Sequence, residues 1–186
     1  MKKSKSLSTI LALDLHPGRF GYAVLEDSRE LLDWGVRRNY GGQKPWRITL
    51  IRKKLSSLLS QWEPTLVLLN EVPRFSPQIQ RIATVIRKEA RHRKLPVRVV
   101  DKQGVKSAFG LGQQITKYET ACLLAEQIPV LHWELPPKRK IWESEHYRMS
   151  VFSAAALAMA YRSLRYGTVT SPPGGVMPKF TQSSRS

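Results

Sequence analysis

The 186 residues, 41% of them hydrophobic, suffice for one domain around a single buried core. With 31 Lys and Arg against 14 Asp and Glu, the net charge of +17 implies a polyanionic partner; nucleic acid is the commonest, because every neutralised phosphate releases condensed counterions. An internal disulfide is excluded by the lone Cys122, and a bilayer span by the lack of an apolar run near the roughly 20 residues needed, so a reducing cytoplasmic setting is expected.

Residues 1 to 8 are rich in Lys and Ser and read as a flexible basic arm; their short apolar continuation is broken by Asp14, unlike a signal peptide. Residues 167 to 186, with Pro172-Pro173-Gly174-Gly175, read as a disordered tail, which leaves residues 9 to 166 as the folded domain. Thr9 to Leu13 reads as a buried strand, Phe20 to Leu25 as its hairpin partner across His16-Pro17-Gly18, and Leu31 to Arg37 as a third strand. From Trp46 the period changes. Ile48, Ile51, Leu55, Leu58, Leu59 and Trp62 predict an amphipathic helix that Pro64 ends. Leu66 to Leu69 is continuously apolar, the pattern of a parallel strand covered on both faces. A helix through Ile79, Ile82, Ile86 and Ala90, a strand at Val97 to Val100 and a brief helix at Val105 to Phe109 follow. Thr116 and Glu119 form a capping box for a helix reaching Ile128, and the Ala-rich last helix spans about Tyr147 to Arg165. Hairpin strands followed by alternating helices and strands predict an α/β or α+β sheet rather than a bundle.

Two acids stand out. Asp14 ends the apolar run Ile10-Leu-Ala-Leu, and Glu71 ends Leu66-Val-Leu-Leu-Asn. A carboxylate at the end of a buried strand is costly unless it is hydrogen-bonded or bound to a cation. Two such acids on neighbouring strands suit a divalent ion, whereas each acid taken singly is equally explained as a cap or loop carboxylate.

The segment Ile10 to Asp14 with Gly18 and Gly21-Tyr22-Ala23-Val24 resembles the first hairpin of RuvC-like Holliday-junction resolvases. In the same order, Leu31 to Arg37, Leu66 to Glu71, Val105-Lys106 through Phe109-Gly110, and Ala156-Leu-Ala-Met-Ala160 are similar to later elements of that family. The resemblance covers about residues 9 to 165. It implies an RNase H-like α/β fold, a mixed central β-sheet with helices on both faces. It also implies four metal-binding side chains holding two Mg²⁺ (or Mn²⁺) ions for phosphodiester hydrolysis, with Asp14 and Glu71 as two of them. The sequence departs from the family where the other two ligands belong, since Phe152, Ser153, Ala154 and Ala155 occupy those places. Glu143, Glu145 and His146 lie nearby and would serve if the last helix began earlier; first-turn acids favouring a helix N-terminus are the competing reading. Glu145 and His146 are carried as the candidate further ligands.

Arg52 and Lys53 on one predicted helix, Arg87 and Lys88 on the next, and Lys106 and Lys117, which the resemblance places beside the acidic cleft, are the candidate phosphate contacts, with a solvated helix face as the competing reading for most of them. Phe75, in the loop after Glu71, is the candidate base-stacking residue. The expectation is a metal-dependent, structure-selective endonuclease on branched DNA, acting as a homodimer because a four-way junction presents two symmetric strands. The alternative, prompted by Phe152 to Ala155, is a catalytically inactive nuclease-derived module that binds DNA or RNA.

Overall fold

In chain order the hairpin comes first: β1 (Thr9–His16), β2 (Arg19–Glu26) and β3 (Leu31–Arg38) pair antiparallel, with Asp14 opposite Gly21. Pro17 presets the turn and Gly18 takes the positive φ of 77° that closes it. The computed structural model describes residues 8–26, 30–38, 48–109 and 115–166. The predicted tail, most of the basic arm and the predicted helix start at Trp46 lie outside them.

Beyond the hairpin, α1 (Ile48–Trp62) leads to β4 (Leu66–Asn70), α2 (Pro77–His92) to β5 (Val97–Val100), and α3 (Lys102–Ala108), α4 (Lys117–Gln127) and α5 (Met149–Tyr166) follow. The sheet order is β3-β2-β1-β4-β5, with β4 parallel to both β1 and β5. It is the mixed, doubly covered sheet expected. Alternation along β1 separates its two cores. Leu11, Leu13 and Leu15 pack with Ile51, Leu55 and Leu58 of α1 and Ile79, Ile82 and Ile86 of α2. Ile10 and Ala12 face Ala121 and Leu124 of α4 and the small residues of α5. Short side chains such as Ala154, Ala155 and Ala158, all fully buried, let α5 lie close to the sheet.

The structure departs from expectation at three places. α3 begins three residues before Val105, because Asp101 accepts a 2.6 Å hydrogen bond from the Gly104 amide and caps the turn. Pro129–Glu134 forms a 3-10 turn that the sequence reading left unassigned. α5 starts at Met149, two residues after the predicted Tyr147, so Glu145 and His146 precede the helix.

Candidate functional site

Side-chain parity on β1 sends Asp14 to the same side as Ile10 and Ala12, toward α5. α5 can reach it because residue 21, opposite Asp14, is glycine: a Cβ there would stand 2.3 Å from the Ser150 carbonyl oxygen. The first turns of α5 therefore rest on β2, and Phe152 and Ser153 face Asp14 across a cavity of about 160 Å³.

Asp14 is 3% exposed, and both of its oxygens are engaged. Oδ1 accepts from Asn70 Nδ2 at 2.8 Å, and Oδ2 lies 2.7 Å from His16 Nε2. Asn70 is itself fixed, its Oδ1 accepting from the Leu15 amide at 3.2 Å. A buried carboxylate held in this way is satisfied by protein groups alone.

Glu71 lines the same cavity from the end of β4, and Asp101 lines it from the end of β5. Sequence reasoning missed Asp101, although the signal was there: Val97-Arg-Val-Val-Asp101 repeats the strand-then-acid form of the other two. Three adjacent strands thus deliver acids at their carboxyl ends, the side at which open α/β sheets bind ligands. Lys102 and Lys106 of α3 and Lys117 of α4 complete the polar lining.

The other predicted residues are placed elsewhere. Glu145 does not line the cavity; it pairs with Lys117 Nζ at 3.1 Å. His146 Nδ1 accepts from the Arg148 amide at 3.3 Å, and its ring lies 4.6 Å from that of Tyr147. Phe75 is 98% exposed in the loop after β4. Arg52, Lys53, Arg87 and Lys88 belong to α1 and α2, the helices of the opposite sheet face. Arg52 has a structural partner, Glu89, at 3.0 Å.

Of the two-ion site that the resemblance implies, the cavity lining carries Asp14 and Glu71, with Asp101 in the same lining, and no carboxylate from α5. Among the described residues no three His, Cys, Asp or Glu side chains are grouped to hold a metal ion. The α5 residues lining the cavity are Phe152, Ser153, Ala156 and Leu157, which bring no carboxylate, and Glu145 and His146 precede the helix and are engaged with Lys117 and the Arg148 amide.

No family model and no curated protein matches the sequence. Solved structures do match. Thermus thermophilus RuvC in complex with Holliday junction substrate is 18% identical, with a TM-score of 0.64 over 87% of this chain and 97% of that one. The yeast mitochondrial Holliday junction resolvase Ydc2 is 11% identical, at 0.56 over 83% and 79%. The fowlpox virus resolvase, solved with substrate Holliday junction DNA, is 14% identical, at 0.53 over 83% and 99%. Identities this low speak for architecture alone, and the architecture they share with this chain, over more than four-fifths of its length, is the RuvC-like resolvase fold of the RNase H-like class.

Proposed function

We propose that this chain recognises branched DNA at the carboxyl ends of β1, β4 and β5. The observation that carries this reading is the cavity itself, where Lys102, Lys106 and Lys117 border Asp14 on a fold whose solved examples hold Holliday junctions. The lysines attract the phosphate backbone, and the buried Asp14, fixed by Asn70 and His16, shapes the floor. Phe75, exposed in the loop after β4, would meet an unpaired base. Two copies would engage the two symmetric strands of a four-way junction.

The test compares a synthetic four-way junction with a linear duplex of equal length at fixed salt. Junction affinity at least about tenfold higher is expected; equal affinities would overturn the proposal. Asp14→Asn should leave junction affinity equal or higher, since it removes negative charge from a phosphate-binding cleft.

Hydrolysis of junction strands is the second reading, favoured by the presence of Asp14, Glu71 and Asp101 in one cavity. It requires paired nicks in the junction with Mg²⁺ or Mn²⁺, lost in Asp14→Asn and Glu71→Gln. Tight junction binding with no nick under either ion would rule out hydrolysis and leave recognition standing.

A further inference from the structure

Between α4 and α5 the chain displays large apolar side chains to solvent: Trp133 is 86% exposed, Trp142 80% and Ile141 95%. Large apolar side chains exposed within one short segment suit a binding surface. We propose that this segment is a stacking arm for unpaired nucleobases, an inference that rests on the reading of branched DNA as the partner.

The backbone that carries the rings is tied down. Arg148 Nη1 donates to the Trp133 carbonyl at 3.5 Å, and Arg148 Nε lies 3.5 Å from Glu134 Oε2. A second set of bonds closes the turn carrying Trp142. The Lys140 amide donates to Glu143 Oε2 at 2.8 Å, the Glu143 amide to the Lys140 carbonyl at 3.1 Å, and Arg139 Nη1 to the Glu143 carbonyl at 2.9 Å. A backbone already ordered loses little entropy when a partner arrives.

Charge points to nucleic acid rather than protein. Lys138-Arg139-Lys140 immediately precedes Ile141-Trp142, and Lys140 Nζ lies 5.6 Å from the centroid of the Trp142 ring. Cations interleaved with exposed rings suit a strand whose phosphates and bases alternate, whereas lysine is depleted at protein interfaces. The acids of the arm are engaged within the molecule: Glu134 by Arg148, Glu143 by the Lys140 amide and Glu145 by Lys117. The last of these also ties the arm to the cavity, because Lys117 lines it.

The experiment uses the full chain with Trp133 and Trp142 both changed to Ala, read by fluorescence anisotropy on a short oligothymidylate, a four-way junction and a duplex. Both rings are exposed, so the double variant should keep the wild-type melting temperature. Affinity for oligothymidylate and junction should fall about tenfold or more, with duplex binding and the salt slope unchanged, because stacking neutralises no phosphate. Trp142→Tyr should lose least. Unchanged oligothymidylate and junction affinity overturns the arm. So does a loss of dimer in sedimentation at unchanged affinity per protomer, which would make the surface a protein contact. A wild-type protein that binds oligothymidylate through the rings but does not prefer junctions over duplex would instead refute branched-DNA recognition and keep the arm.

Discussion

Asp14 shows how a neighbouring residue sets what a carboxylate can do. It is buried, and its oxygens are taken by an amide and an imidazole, so a cation is not needed to stabilise it. Adding a carboxylate opposite it should change that. Ser153→Asp adds a fourth acid to the cavity that Asp14, Glu71 and Asp101 line, and calorimetry should then detect Mn²⁺ binding tighter than that of the wild type; no gain would mean that residue 153 is not aimed at Asp14. Gly21 has the sharper constraint. A methyl group there would strike the Ser150 backbone, so Gly21→Ala should cost about 3 kcal/mol in denaturant unfolding, and a loss under about 0.5 kcal/mol would refute the close approach of α5 to β2. Tyr22, next along β2, is pushed up to about 12 by burial and by the Asp33 carboxylate, and its hydroxyl donates to Asp33 at 3.3 Å. It is a core residue with a tethered tip, and it stays protonated throughout the range in which DNA binding would be measured.

Among the elements, α1 and α2 are joined by a clamp absent from the hydrophobic pattern. Glu89 of α2 is buried and receives Arg52 Nε of α1 at 3.0 Å and Arg93 Nε at 3.4 Å. Burial works against its charge, but the hydrogen bonds and charges of Arg52 and Arg93 outweigh it and hold the carboxyl below its ordinary range. A carboxyl depressed in the fold stabilises above its unfolded pKa and loses that contribution as pH falls through the folded value. Glu89→Gln should therefore destabilise by about 1 to 2 kcal/mol at pH 7, with the difference from wild type shrinking toward pH 3 in thermal melts. An equal difference at both pH values would show that the clamp is not ionic. α4 was legible to the residue: Thr116 accepts from the Glu119 amide and Glu119 bonds back to the Thr116 amide, the capping box read from sequence.

For the whole molecule, +17 net charge predicts affinity that falls steeply with salt, with a slope of about −0.9 per phosphate neutralised on duplex DNA. Changing Lys106 and Lys117 together to Ala should flatten that slope by roughly two units if both meet phosphates, and an unchanged slope would remove them from the interface. The same double change should cost little stability, because Lys117 of the Lys117–Glu145 pair is about half exposed. No helix among the described residues is long and apolar enough to cross a membrane.

Local pattern was enough to determine the order and kind of nearly every element, since apolar period, Pro64, the Pro17-Gly18 turn and the Thr116–Glu119 box act over a few neighbouring residues. The acids at the ends of β1 and β4 were legible for the same reason: charge closing a buried strand is conspicuous. Their surroundings were not. That His16 and Asn70 satisfy Asp14, that Asp101 joins from β5, and that Glu145 pairs with Lys117 rather than entering the cavity depend on contacts between residues 2 to 87 positions apart. Charge along the chain does not separate Arg52 and Arg87 from Lys106 and Lys117, which only the resemblance favours; strand parity and the path of the helices put the two sets on opposite faces of the sheet. Composition and periodicity thus determined a basic α/β domain with acids at its strand ends. Only tertiary packing decided which charges meet, because pairing depends on distance through space and is not encoded in spacing along the chain.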